Sequence, residues 1–333
     1  VIPAISYPPI PIFDLGPLQL SLHGLFAGLG FVAGAALMVR EARRRGFDDE
    51  KVISVLTWAL VASMLGARFF TVPAHMFDPG YDLSDALSLA GDYSIIGGYA
   101  GGIIVGFWRM RMLGADVAAH MDMAAAGLAL GAVVGRIGDV AIVEHLGGPT
   151  SFFLGYELQP GYDVSPQHDV LERLCEVDQI CGPWHHTGLY DMLGAAVLLG
   201  VLLFLRRNWA GRRYGQLFAV WAIWYGFQRF LIDFARLGVA RDGVTLPDGT
   251  VVSTIADSVM GPFTGSQWGG LAVGVAAVWL FLRLRVRSDV VTPEGDVARG
   301  ATPLVIESLP PDDAEIEGTD APLATDPHDP PLG

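Results

Sequence analysis

Ionisable side chains that stand inside long apolar runs mark where this chain could do chemistry. The run over residues 120–143 carries Asp122, Arg136 and Asp139, with Glu144 at its end. The run over 216–235 carries Arg229 and Asp233, with Arg236 just beyond it. Arg68 stands near the end of another run, and Tyr190 and Asp191 open a further one. A charge at the centre of a lipid-inserted helix costs about 2.5–3.5 kcal/mol on insertion scales, so such groups are functional suspects by default. Arg229 and Asp233 are four residues apart, and the pairs Asp233–Arg236 and Arg136–Asp139 are three apart, which puts each pair on one helix face. Arginine is the side chain suited to a bidentate grip on phosphate. Arginines and carboxylates converging at one depth in lipid therefore read as a phospholipid headgroup site. The competing reading is a set of interhelical salt bridges, with Asp122 satisfying a deep backbone or guanidinium group and Arg236 snorkelling to the surface.

The elements that must position these residues are apolar and long. The 333 residues are 52% hydrophobic and 17% charged, against about 25% charged in a soluble globular chain. Seven segments reach the roughly 20 apolar residues that a bilayer-spanning helix needs: 18–39, 52–72, 93–113, 120–143, 187–205, 216–235 and 268–285. Basic residues cluster after the first, third, fifth and seventh (Arg40, Arg43–Arg45 and Lys51; Arg109 and Arg111; Arg206, Arg207, Arg212 and Arg213; Arg283, Arg285 and Arg287). The positive-inside rule places these clusters in the cytoplasm. The expectation is an all-α membrane protein with seven transmembrane helices, its N-terminus outside and its C-terminus cytoplasmic, in the cytoplasmic (inner) membrane of a bacterium.

Three domain segments follow: an outer interfacial arm over 1–17, a seven-span domain over 18–287 with an outer loop at about 144–186, and a tail over 288–333. The arm is apolar and Pro-rich and has no basic segment ahead of an apolar core, so it does not read as a cleaved signal peptide. The tail holds eleven acids against one base and 8 of the 21 prolines, which predicts a disordered acidic cytoplasmic segment. Much of the net charge of −14 lies there, and no basic face is available for nucleic acid. The outer loop holds Cys175 and Cys181 together with His145, His168, His185 and His186. Outside a bacterial membrane the two cysteines are permitted a disulfide. A metal site there lacks any CxxC or HExxH spacing, so neither metal nor cofactor is expected.

Several stretches together resemble the prolipoprotein diacylglyceryl transferase family of seven-span bacterial enzymes. Ile12–Leu18 followed by His23-Gly24-Leu25 resembles the family's entry arm and first span, and Gly66-Ala67-Arg68 its second-span motif. Ser94–Gly101 is similar to its S-F-H-G-G-x-x-G segment. Gly135-Arg136-Ile137-Gly138-Asp139, then Glu144 and Gly147, resembles the signature G-R-x-G-N-F-x-N-x-E-x-x-G. Gly226–Arg236 resembles the family's F-R-x-x-x-E-x-x-R stretch. Order and spacing agree over about residues 10–285. The departures fall on groups that handle protons: the histidine of S-F-H-G-G is Ile96 here, the signature asparagine is Asp139, the sixth-span glutamate is Asp233, and the tyrosine before the first-span glycine is His23. In the fifth span, H-P-S-Q-L-Y-E reads His185-His186-Thr187-Gly188-Leu189-Tyr190-Asp191.

The resemblance implies transfer of a diacylglyceryl group from phosphatidylglycerol to the lipobox cysteine in the signal-peptide region of a prolipoprotein, releasing glycerol phosphate. The thiolate is the nucleophile, and the departing phosphate needs preorganised positive charge. On this reading Arg136 and Arg229 hold the phosphate, helped by Arg68, while Asp139, Glu144 and Asp233 orient them and bind glycerol hydroxyls. Gly97 and Gly98 let lipid approach the backbone, and Gly147, Tyr190 and Arg236 complete the substrate-binding set. The thiol base is open among His23, His145 and His185. Two alternatives stand beside this one: a family paralogue with a different acceptor, and a non-catalytic phospholipid-binding membrane protein.

Overall fold

The structure, a computed structural model, describes residues 4–10, 13–15, 18–69, 72, 95–143, 145–160, 181–242, 244–245, 251–252, 259–287 and 289–303. Glu144, His168 and Cys175 lie outside the described residues, as do the side chains of Ile96 and Cys181 and everything from 304 to 333. The site role of Glu144 and the Cys175–Cys181 disulfide are thus expectations on residues outside that set.

The apolar runs form helices α1 (Leu22–Arg44), α2 (Asp49–Phe69), α3 (Ile95–Met112), α4 (Val117–Ala141), α5 (Thr187–Asn208), α6 (Gln216–Asp242) and α7 (Gly265–Arg285). Of these, α1, α2, α4, α5 and α7 are long and apolar enough to cross a membrane. Large apolar side chains point away from the protein along them, among them Val32, Met64, Phe204 and Trp279, each at least 60% exposed. Lipid is the solvent that such a surface suits, and the protein is a multi-pass membrane protein.

Local chemistry sets the helix ends. Ser21 accepts the His23 amide and caps α1, and Asp116 accepts the Ala119 amide and caps α4. Thr264 and Gln267 form a reciprocal capping box on α7. The first helix starts four residues later than the span predicted from 18. Residues Leu18–Leu20 form strand β2 instead, paired antiparallel with β1 (Phe13–Leu15).

Small residues bring α1 and α4 together. A Cβ on Gly34 would lie 2.5 Å from the Gly127 carbonyl oxygen, and one on Gly30 would lie 2.5 Å from that of Gly131. The two backbones therefore touch, as helices in lipid do when Gly lines the seam. Helix α2 packs on α3 at Gly66, Gly97 and Gly101 by the same means, and α6 on α7 at Gly226, Gly270 and Gly274.

The basic ends of these helices meet. Glu41, buried near the end of α1, accepts from Arg44 at 3.1 Å and from Arg206 of α5 at 3.0 Å. Arg109 of α3 reaches Ser54 of α2 at 2.9 Å. Asp122 of α4 accepts the amides of Leu217 and Phe218 at 2.9 and 3.2 Å. It thus satisfies donors that the first turn of α6 would leave unpaired.

Two expectations need correction. The chain is mostly helical, not all-α. Between α4 and α5 the described residues form a three-stranded antiparallel sheet of β3 (Leu146–Pro149), β4 (Gly155–Leu158) and β5 (Cys181–His186), in the order β3-β5-β4. The N-terminal arm joins this sheet. Ile5 donates to Gly155 at 2.8 Å and accepts from Glu157 at 2.9 Å, extending β4, because an open strand edge offers backbone partners that lipid headgroups do not hold in register. Finally, part of the acidic tail is ordered. Helix α8 (Pro293–Ala298), capped by Thr292, packs against the basic end of the bundle. Asp296 is buried there, paired with Arg45 and accepting from the Tyr214 hydroxyl at 2.8 Å. Arg299 bridges Asp116 and Asp289, each at 2.5 Å, with its guanidinium 4.1 Å from the centre of the Tyr214 ring. Ala301 joins Met38, Ala42, Phe47 and Val52 in the core. Average composition predicts disorder for the whole segment, yet a few residues matched to a preformed basic surface suffice to dock its start.

Two substitutions test this architecture. Gly34→Leu should force α1 off α4 and lower the thermal midpoint of the detergent-solubilised protein by several degrees. Asp296→Ala should destabilise by about 3–5 kcal/mol, the cost of leaving a buried partner charge uncompensated, because the Arg45 side chain is only 8% exposed. Retention of the wild-type midpoint in the second variant would mean that the strap after α7 does not hold the bundle.

Candidate active site

At the end of the bundle opposite the basic turns, α1, α5 and α7 begin while α4 and α6 finish, and their polar residues face one another. Arg136 and Asp139 lie one turn apart near the end of α4 and are paired. The other oxygen of Asp139 contacts Nδ1 of His23, in the first turn of α1, at 2.5 Å. Asp139 is almost wholly buried at 2% exposure, whereas the His23 ring is 49% exposed. Close packing of α1 against Gly138, where a Cβ would meet the Leu22 carbonyl at 2.6 Å, sets this approach. The second guanidinium nitrogen of Arg136 reaches Asp191, at the start of α5, at 3.0 Å. Asp191 in turn accepts from Gln228 of α6 at 3.1 Å, and Gln228 accepts from Trp224 at 2.6 Å.

Asp233 organises a second cluster from a wholly buried position on α6. One oxygen faces Arg229 at 3.4 Å and Arg236 at 3.3 Å. The other accepts from the Thr264 hydroxyl at 2.5 Å. Gln267 accepts the Thr264 amide at 3.0 Å and donates to the Phe230 carbonyl at 3.3 Å, tying α7 to α6.

The two clusters adjoin. Gln228, which serves the first, immediately precedes Arg229, which serves the second. His145 lies within electrostatic reach of both. Burial pushes its imidazole down to about 4, Arg236 and Arg136 push the same way, and Asp139 opposes them. Its ring centre is 6.5 Å from that of His23, and its backbone adopts φ 63°, a left-handed conformation that non-glycine residues seldom take. Two residues on, Gly147 leaves room for the sheet to sit on α6; a Cβ there would lie 2.7 Å from the Ala235 carbonyl oxygen.

The other expected site residues are placed as follows. Arg68 is half-buried at the end of α2. Gly97 and Gly98 are buried in the first turn of α3 against α2, where a Cβ on Gly98 would meet Ser63 Oγ at 3.3 Å. The Tyr190 hydroxyl contacts His185 Nδ1 at 3.1 Å. His186 is fully buried, with Nε2 at 2.7 Å from the Tyr7 hydroxyl, and burial pushes it to about 4. Sequence reasoning passed over Gln228, Thr264 and Gln267. The Thr264-x-x-Gln267 spacing is a capping-box signature and was open to detection; Gln228 carries no local pattern that marks it.

These features define a class: a helical multi-pass membrane protein with a buried arginine–carboxylate network across one end of its bundle. Within that class the chain belongs to the prolipoprotein diacylglyceryl transferase family, whose family model matches residues 11–283. The phosphatidylglycerol–prolipoprotein diacylglyceryl transferase of Paenarthrobacter aurescens is 28% identical to it over 288 residues, 85% of each chain. That of Thermus thermophilus is 31% identical over 233 residues, 66% of this chain and 81% of the relative. The Frankia alni relative of the same name is 29% identical over 247 residues, 73% of this chain and 62% of its own length.

Two histidines, half-buried His145 and buried His186, set a pH dependence. An exposed histidine takes its proton near pH 6.5, whereas folded His145 and His186 resist protonation down to about 4. Between those values the unfolded chain binds more protons, so stability is complete above about pH 6.5 and drains as pH falls toward 4. The thermal midpoint should therefore drop between pH 7 and pH 5, and His186→Gln should shrink that drop. An undiminished drop in the variant would clear His186 of the effect.

Proposed function

We infer that this chain transfers a diacylglyceryl group from phosphatidylglycerol to the lipobox cysteine of a prolipoprotein in lipoprotein maturation. The names of the relatives support the reaction, and the two adjoining arginine–carboxylate clusters support its location. Helices α1 to α7 all cross the bacterial inner membrane on this reading. Their arginine-rich ends and the docked α8 lie in the cytoplasm, and the active site opens to the outer leaflet. The steep asymmetry of basic residues between the two ends of the bundle supports that orientation.

Arg136 and Arg229 hold the phosphate, with Arg68 and Arg236 adding positive charge. Their geometry is set before substrate arrives. Asp139 and Asp191 fix Arg136 from two sides, and Asp233, itself anchored by Thr264, fixes Arg229. A guanidinium held in place stabilises charge developing on a leaving phosphate without the cost of reorganising at the moment of reaction. Glu144, Asp233 and Asp139 bind glycerol hydroxyls. Tyr190 and Gly147 shape the wall beneath the outer sheet, and Gly97 and Gly98 keep the α2–α3 side thin. The adjoining of the clusters through Gln228 and His145 carries this reading.

The test is formation of a thioether-linked diacylglyceryl product from phosphatidylglycerol and a lipobox peptide by the purified protein. Arg136→Gln and Arg229→Gln should each lower the rate by about 10²-fold or more, the usual loss on removing one preorganised donor. Arg136→Lys should not restore it, because a lysine cannot reach Asp191 and phosphate in a planar fork. Ile96 at the position of the family's histidine favours a second reading, a phospholipid-binding protein without transferase activity. That reading predicts bound phosphatidylglycerol in the purified protein but no product.

A further inference from the structure

Resting on the transferase reading, the question is which group takes the proton of the acceptor thiol. A thiol of ordinary pKa, near 8.5, is mostly protonated at neutral pH, and only the thiolate attacks. Among the described residues, four histidines stand at the site's end of the bundle. His186 is fully buried and held by Tyr7. His145 feels the charges of Arg236 and Arg136, which oppose a further proton. His185 faces the Tyr190 hydroxyl, with no carboxylate among its hydrogen bonds to described residues. His23 differs on two counts. Its ring is half-exposed at the rim of the bundle, and its Nδ1 rests on a buried carboxylate.

We propose that His23 is the catalytic base for the thiol and that Asp139 is its positioning residue, one carboxylate holding the base with Oδ1 and the phosphate-binding Arg136 with Oδ2. With Nδ1–H donated to Asp139, the imidazole lone pair is at Nε2, on the side away from the carboxylate. The cysteine S–H proton passes to Nε2. The sulfur attacks the diacylglyceryl carbon that bears the phosphate ester, a C–S bond forms, and the C–O bond to phosphate breaks. The electron pair leaves on the phosphate oxygen as glycerol phosphate, whose added charge meets Arg136 and Arg229. The proton on His23 then passes to water or to the departing phosphate, and the base is restored. Asp139 stays ionised and balances the imidazolium, the role of the buried carboxylate in a nucleophile–base–carboxylate arrangement.

This assignment couples two steps through one side chain. The separation between base and phosphate clamp is set by the width of a single carboxylate, so the thiol and the leaving oxygen are held at a fixed distance. It also explains two residues of this chain together. A histidine at position 23 has its partner because position 139 is an aspartate, and an asparagine there would offer no charge to balance an imidazolium.

The experiment uses the full-length protein in lipid nanodiscs, with phosphatidylglycerol and a lipobox peptide, and follows thioether product from pH 6 to pH 9. Among the described residues, the groups near His23 that also titrate or carry charge include Asp139 and Arg136 on α4 and His145 before β3. His23→Gln should lower kcat by 10²-fold or more at pH 6.5 with little change in phosphatidylglycerol binding. The deficit should shrink steadily toward pH 9, where the peptide thiol ionises without help. Asp139→Asn should show the same alkaline recovery in kcat, which loss of mere packing would not. A His23→Gln rate within threefold of wild type at pH 6.5, or a deficit constant with pH, would overturn the proposal while leaving the transferase reading intact. Absence of product from the wild-type protein would overturn both. If His23→Gln does not assemble, the Asp139→Asn pH profile decides alone: a deficit that does not recover with pH counts against the dyad.

Discussion

The arrangement of charges at the end of the bundle opposite the basic turns depends on carboxylates buried in a lipid-facing bundle. Asp139 and Asp233 are 2% and 0% exposed, where an unpaired charge would be prohibitively costly. Each is accommodated by arginines of its own helix together with a partner from another element. Asp139 binds His23 of α1 and Arg136 of its own helix, and Asp233 binds two arginines of its own helix and Thr264 before α7. Desolvation therefore forces the arginines into place. The penalty for burying an unpaired aspartate thus keeps these guanidinium groups from wandering.

Close backbone packing makes the arrangement possible. Where Gly30 and Gly34 of α1 meet Gly127 and Gly131 of α4, the helices approach until side chains would collide with carbonyls. This seam continues to Gly138, one residue before Asp139. A bulkier seam would displace the first turn of α1 outward and take His23 with it. The opposite end is stabilised by different means. Glu41 between Arg44 and Arg206, Asp122 on the first amides of α6, and Asp296 on Arg45 tie the basic ends together through ion pairs and caps. The fold therefore holds two charged layers with a greasy middle, one structural and one suited to chemistry.

Strand β5 runs directly into α5, so that Trp184, His185 and His186 lead to Tyr190 and Asp191 without an intervening loop. Residues 5–10 clamp the sheet from the far side: Ile5 extends β4 and Ile10 donates to the Ala141 carbonyl at the end of α4 at 3.0 Å. The Tyr7 hydroxyl joins the Val140 carbonyl and His186, at 2.5 and 2.7 Å. The arm thus ties β4 to the end of α4 and to His186.

The sequence by itself determined the apolar helices and the identity of the charged groups, because hydropathy and helical spacing are local properties. Most helix ends fell within a few residues, but α1 runs five residues and α6 seven residues past the expected ends at 39 and 235, where polar residues continue the helix beyond the apolar run. It also determined that Arg229, Asp233 and Arg236 share a face, since 3.6 residues per turn requires it. Tertiary structure alone decided which partners lie across helix boundaries. That Asp139 meets His23, that Arg136 meets Asp191 and through it Gln228, and that Asp122 caps α6 instead of joining the site are contacts between residues up to 116 positions apart. No periodicity encodes such pairings. They follow from which glycine seams pack and from the need of each buried charge to find a partner in a medium that offers no water.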